Sequence, residues 1–145
     1  MQLPEFLSHT GYRRIPLQRS GVGHFHAPGS LRGRPVSVLV DTGAGCTLVS
    51  LALARELDLA LTLQPEKGGG AGNFQMDVYV VEDARLELAE VSIRPKMLLA
   101  MDLSHVNDAL VEKGENAVEA IMGVDVFEEH AAVIDYGGGS LFLKS

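Results

Sequence analysis

Apolar residues in this chain come mostly in short runs, cut off every few positions by glycine, proline or charge. Tyr12 to Gln18 predicts a first strand, closed by Ser20-Gly21. His24 to Leu31 is a weaker second strand, interrupted by Pro28-Gly29. Arg32-Gly33-Arg34-Pro35 is a turn. Val36 to Val40 then supplies a strong β-branched strand that stops abruptly at Asp41-Thr42-Gly43-Ala44-Gly45. Ser50 is placed to cap a short helix over Leu51 to Leu57, where Leu53 and Leu57 share a face. Lys67 to Asn73 holds four glycines and predicts a hairpin tip, with Gln75 to Val81 leading out of it as a strand.

Further along, Leu86 and Leu88 alternate with polar residues, and Val91 and Ile93 do so again before Pro95. Met97 to Met101 predicts a buried strand, with both methionines as core filler. Ser104 to Lys113 carries a helical stripe of Val106, Ala109 and Leu110, and Gly114 stands where a C-terminal cap belongs. Ala120 to Met122 is a short apolar run. Ala131 to Ile134 and Leu141 to Leu143 flank Tyr136-Gly-Gly-Gly-Ser140 as a closing hairpin. Many short strands with one or two short helices predict a mainly β domain.

At 145 residues the chain suits one domain, taken as 11–145 behind an N-terminal tail of residues 1–10. Hydrophobic residues make up 46%, so a core is expected. A net charge of −7 argues against a nucleic-acid partner. Arg13, Arg14, Arg19, Arg32 and Arg34 read as a solvated face rather than a binding patch. A single cysteine, Cys46, excludes an internal disulfide. The first ten residues lack the basic-then-apolar pattern of a signal peptide, and the longest apolar run is too short to span a bilayer. The expectation is a soluble protein without membrane contact, cytoplasmic, or periplasmic were a leader to precede this chain.

The chemistry points to Val38-Leu39-Val40-Asp41-Thr42-Gly43-Ala44-Gly45. An apolar strand delivers a carboxylate to a tight turn, a hydroxyl follows, and Gly43 allows backbone conformations closed to other residues. On this string alone, a functional site and an ordinary strand-end turn bonded to its own backbone are level readings. A second segment breaks the tie. Ala120-Ile121-Met122-Gly123-Val124-Asp125-Val126-Phe127 lies about eighty residues later and is followed by Val133-Ile134-Asp135-Tyr136-Gly137. With both in place, the sequence from about Tyr12 to Leu143 resembles the retropepsin-like aspartic proteases, and more closely their bacterial members.

That resemblance implies a half-barrel in which Ile121-Met122-Gly123 packs beside the loop bearing Asp41. It also implies an endopeptidase active as a two-fold homodimer on extended peptide or protein substrates, with no cofactor. Amide hydrolysis needs a base and an acid, and two close carboxylates sharing one proton supply both. Asp125 is followed by Val126-Phe127, and Asp135 by Tyr136-Gly137. Neither makes a second motif, so the second Asp41 is expected from a second chain.

The family's roles carried over are catalysis by Asp41, bracing of the dyad by Thr42, and shaping of the cleft floor by Gly43 and Ala44. Gly70, Ala71, Gly72 and Asn73 fall in the stretch that resembles the family's substrate-covering flap. Ile121, Met122 and Gly123 complete the expected substrate-binding set. Cys46 reads as a structural thiol. His24 and His26 share a strand face but lack a third ligand, and are expected to be solvent-exposed. Two other functions compete. One is a weakly active or non-catalytic dimerisation and peptide-binding module on the same fold. The other is a metal hydrolase built on His24, His26 and a carboxylate.

Overall fold

Short apolar segments bury themselves most economically by pairing as strands, and the computed structural model arranges them in two sheets. It describes residues 1–68, 75–93 and 95–145. The elements in chain order are α1 (Leu3–Ser8), β1 (Tyr12–Pro16), β2 (Gln18–Arg19), β3 (Phe25–Leu31), β4 (Arg34–Val40), β5 (Leu48–Ser50), α2 (Leu51–Glu56), β6 (Ala60–Leu63), β7 (Tyr79–Glu82), β8 (Leu86–Leu88), β9 (Val91–Ser92), β10 (Leu99–Met101), α3 (Ser104–Glu112), β11 (Ala120–Met122), α4 (Val124–Glu129), β12 (Val133–Asp135) and β13 (Ser140–Lys144).

Ten strands form a curled half-barrel in the order β6-β7-β10-β5-β11-β4-β3-β8-β9, with β2 paired to β3. The chain ends close a smaller sheet, β1-β13-β12. In the centre of the large sheet, β11 runs parallel to β4, pairing Met122 with Val40, and antiparallel to β5, pairing Ala120 with Val49. A strand from late in the chain thus separates the two strands joined by the Asp41 turn. The core beneath includes Val38, Val49, Ala100, Ala120 and Met122, all fully enclosed. Ala120 and Met122 from one strand meet Val38 from the next, as alternation within a parallel pair requires.

Most predicted elements are present, with instructive shifts. Strand β3 runs unbroken through Pro28-Gly29, pairing them with Ser37 and Val36. Pro28 falls where β3 has no outer neighbour, since β2 reaches only His26 and β8 begins opposite Leu31 and Ser30. A missing N–H there costs no outer ladder bond. At Gly29 a Cβ would sit 2.9 Å from the Glu87 carbonyl oxygen, so this glycine allows close approach of β8 rather than a break. The Met97–Met101 prediction is half corrected: β10 starts at Leu99, Met101 is buried, and Met97 is 54% exposed.

Ser50 caps α2 by accepting from the Leu53 N–H at 3.3 Å, and Gly114 follows α3 with φ +81°, both as the residue types imply. Helices α1 and α4 raise the number to four among the described residues, against one or two expected. Helix α1 lies within the segment set aside as a tail and buries only Leu7, too little for a visible stripe. Strand β6 is largely exposed, which hid it from pattern reading. No helix among the described residues is long and apolar enough to cross a membrane.

Candidate active site at the Asp41 turn

Strand β4 ends at Val40, and Asp41 continues its ladder by donating its N–H to the Met122 carbonyl at 3.0 Å. The chain then folds back. The Ala44 N–H donates to the Asp41 carbonyl at 3.1 Å, and the Gly43 N–H donates to Asp41 Oδ1 at 2.9 Å. This is the local aspartate turn that the residue types allow. The Asp41 carboxylate stays partly accessible, and Thr42 and Gly43 are exposed at the tip.

Behind the turn the packing is tight. Gly123 occupies extended backbone (φ −115°, ψ −171°) open to any residue, so space rather than conformation demands glycine there. A Cβ on Gly123 would meet the Ala44 carbonyl oxygen at 2.6 Å and the Cys46 carbonyl oxygen at 2.7 Å. The Val124 N–H donates to that same Ala44 oxygen at 2.8 Å. Ala44 also packs on a small apolar cluster of Leu39, Leu103, Leu110, Val118 and Ile121. Met122 is wholly buried, so its link to the turn runs through its carbonyl.

Sequence reading missed the fixing bolt of this loop, Thr47. Its side chain is fully enclosed, donates to Asp125 Oδ1 at 2.7 Å and accepts from the Gly123 N–H at 3.0 Å. Its own N–H donates to Asp125 Oδ2 at 3.0 Å, and Asp125 Oδ1 also accepts from the Val126 N–H at 2.9 Å. Both Asp125 oxygens are therefore engaged in bracing the loop. Asp135 is occupied differently, accepting from the Gly138 N–H at 3.1 Å in the β12–β13 turn. A polar residue following a glycine by two positions was the available clue to Asp125, but nothing in the sequence links it to Thr47.

The environment of Cys46 agrees with a structural thiol. Burial pushes its pKa up, and the nearby Asp125 charge pushes the same way. The expectation of exposure holds for His24 and needs correction for His26, which is buried; both rings turn towards the buried carboxylate of Glu115. The turn at Ser20 to His24 and the cap that ends α3 bring these groups together, across a sequence separation that hid the contact. Among the described residues no group of three or more His, Cys, Asp or Glu side chains is arranged to hold a metal ion.

Of the expected site residues, Asp41, Thr42, Gly43, Ala44, Ile121, Met122 and Gly123 come together in this one arrangement. Gly70, Ala71, Gly72 and Asn73 lie outside the described residues. Among the residues on either side, Gly68 and Met76 exchange backbone bonds of 3.0 and 2.7 Å, and Lys67 pairs with Asp77.

The same fold recurs in solved structures. A retropepsin-like aspartic protease from Rickettsia conorii superimposes with a TM-score of 0.58 at 15% identity, covering 91% of this chain and 90% of that one. The retroviral protease-like domain of Ddi1 from Leishmania major gives 0.53 at 16%, covering 81% and 86%. The EIAV protease, in complex with an inhibitor, gives 0.53 at 18%, covering 81% and 98%. At such identities the likeness is one of fold. The family model described as aspartyl protease matches residues 27–126, which take in both the Asp41 turn and the glycine it packs against. By that match this chain, folded as a retropepsin-like half-barrel, belongs to the aspartyl protease family.

Proposed function

We propose that the protein is an aspartic endopeptidase acting as a two-fold homodimer, with one Asp41 from each chain forming the catalytic dyad. The observation that carries this reading is the Asp41 turn itself. It is an accessible carboxylate on a rigid apolar strand, held from behind by Met122, Gly123 and Thr47. The other carboxylates weighed for the second role, Asp125 and Asp135, accept bonds from their own neighbourhoods. A two-fold axis through the exposed Thr42-Gly43 tip brings two copies of Asp41 together. Close by, Tyr136 is 60% exposed and its ring lies 4.9 Å from Phe25, the partner of Val40. That leaves apolar surface beside the turn for a second chain to cover.

The dyad holds a single proton because two adjacent carboxylates resist ionising together. The ionised member takes a proton from water as it attacks the peptide carbonyl. The protonated member hydrogen-bonds that carbonyl, and the leaving nitrogen is protonated in turn. Thr42 steadies the pair from each side of the axis, and Gly70, Ala71, Gly72 and Asn73, which lie outside the described residues, take the substrate-covering role that the family resemblance implies.

Asp41→Asn tests the reading. The amide oxygen still accepts from the Gly43 N–H, so fold and assembly should persist. Peptide hydrolysis should fall by roughly a thousandfold or more, because the shared proton and the base are gone. Native activity should also drop faster than linearly on dilution. A folded Asp41→Asn protein that still cleaves peptides, or a fully active monomer, overturns the proposal.

A further inference from the structure

Strands β4, β11, β5 and β10 lie side by side, and their register sorts their side chains onto two faces. The row Val38, Ala120, Val49 and Ala100 belongs to the main core. The next row, Leu39, Ile121, Leu48 and Leu99, points the other way. Asp41 follows Leu39 by two positions with its N–H still in the ladder to Met122, so alternation puts its side chain on this second face. Helix α3 covers the same face. Its Leu103 and Leu110 join Leu39, Val118 and Ile121 in a separate buried cluster, and Ala44 of the Asp41 turn packs against that cluster together with Leu48 and Val106.

The direction of α3 follows from its two ends. It begins just after Met101, the last residue of β10, and Glu115 beyond its cap reaches to 3.5 Å from His26 Nε2 on β3. The helix therefore runs across β5, β11 and β4 rather than along them, with one flank towards the start of β11 and the other towards its end. Asn107 tells the flanks apart. Its side chain donates to the Val118 carbonyl at 3.0 Å and accepts from the Val118 N–H at 2.8 Å, ahead of the start of β11. Val106 lies about 100° round the helix from Asn107, beyond Leu103 and Leu110, and so faces the end of β11, where Gly123 packs on the Asp41 turn. Ala109, one turn further on, shares that flank and is exposed. The two Asn107 bonds, with those from Ser104 to Asp102, hold α3 as a fixed wall rather than a lid.

We propose that α3 is the specificity wall of the Asp41 cleft, with Val106 and Ala109 restricting the substrate side chains beside the scissile bond to short or β-branched aliphatic ones. A side chain placed there buries itself on the partly exposed Ala44, Leu48 and Val106. Beneath them α3 already covers Leu39 and Ile121, which are 8% and 7% exposed, so the surface is apolar but shallow and an aromatic ring finds no depth in it. In the two-fold dimer the partner repeats the wall across the axis, so the residues on both sides of the scissile bond are read alike. As a filter on cleavage the wall rests on the protease reading above; as a peptide-binding surface it does not.

The test uses two peptides that differ only in the pair flanking the scissile bond, Val-Val or Phe-Phe, and a second such pair in which a reduced amide replaces that bond. The ratio of kcat/KM for the Val peptide to that for the Phe peptide should be above one in the native chain; a value at or below one overturns the wall. Val106→Ala opens the wall and should lower the ratio roughly tenfold, the usual worth of a methylene or two in an apolar pocket. Ala109→Leu narrows the cleft from an exposed position that should not disturb folding, and should raise the ratio by a similar factor. Val111→Ala, on the Asn107 flank and 59% exposed in the native chain, should change it less than about twofold. Binding of the reduced-amide pair, followed by calorimetry, should shift in the same order. Ratios within about twofold of native in both Val106→Ala and Ala109→Leu overturn the wall. A native chain that binds the reduced-amide pair with these shifts yet cleaves neither peptide overturns the protease reading and leaves the wall standing. Neither binding nor cleavage overturns both.

Discussion

Gly123→Ala adds one methyl group at the tightest backbone contact behind the Asp41 turn. The backbone there suits alanine, so the substitution brings no conformational strain and lowers chain entropy in the unfolded state, worth about 0.4–1 kcal/mol of stabilisation. Against that, the new carbon would lie 2.6 Å from the Ala44 oxygen and 2.7 Å from the Cys46 oxygen. These are main-chain atoms and cannot rotate away, so residues 44–46 must lift by roughly 0.7 Å to restore ordinary contact. Overpacking of this kind costs about 1–3 kcal/mol, and distorting the bond from the Val124 N–H to the Ala44 carbonyl adds about 1. The net loss is about 1–3.6 kcal/mol. At about 2.1 cal/mol/K of unfolding entropy per residue, that is a fall in Tm of roughly 3–12 °C. Displacing the turn should cost kcat/KM more than stability alone explains, since misplacement near 1 Å at a reacting centre costs up to about a hundredfold. Calorimetry and peptide hydrolysis on the same preparation measure both. Gly45→Ala, in the same loop but with nothing within 4 Å of its added carbon, is the control and should change stability by less than about 0.5 kcal/mol. A Gly123→Ala protein that melts within about 2 °C of the native chain and keeps its kcat/KM would refute the argument.

Three other perturbations probe the loop and its surroundings. Thr47→Val keeps the shape but leaves the Gly123 N–H without its acceptor; urea denaturation should show a loss of about 2–3 kcal/mol, and a loss under about 0.5 would mean that the brace is dispensable. Cys46 should react with iodoacetamide more slowly than an exposed thiol at neutral pH, and faster once Asp125→Asn removes the neighbouring charge; an unchanged rate would count against the charge coupling. That Asp125 variant, where folded, should keep substantial peptidase activity. Asp102 accepts from the Ser104 hydroxyl and N–H at 2.6 and 2.8 Å at the start of α3, and these bonds hold its pKa below the usual aspartate value. Its contribution should be complete above the unfolded aspartate pKa and fade as pH falls through the lowered folded value; an Asp102→Ala protein with the native acid-side melting profile would contradict this.

How far the sequence reaches depends on the range of the interaction concerned. Local chemistry was legible. Ser50 as a cap, Gly114 after α3 and the Asp41-Thr42-Gly43 turn at the end of an apolar strand each follow from bonds between residues a few positions apart. Leu86 and Leu88 alternate because one face of their strand is buried, and period-two burial is written directly into residue order. The placement of Gly123 against the turn was anticipated only through resemblance, since two segments about eighty residues apart carry no mutual signal in one sequence. Elements with little to bury, such as α1 and β6, were invisible for the opposite reason: their positions rest on pairing and packing partners rather than on a pattern of their own. Two facts came from tertiary structure alone. Asp125 engages Thr47, and the buried Glu115 carboxylate contacts the exposed His24 and the buried His26. Polar side chains of this kind obey no periodicity. Burial makes each of them costly without a partner, and only the closed sheet decides which partner lies within reach.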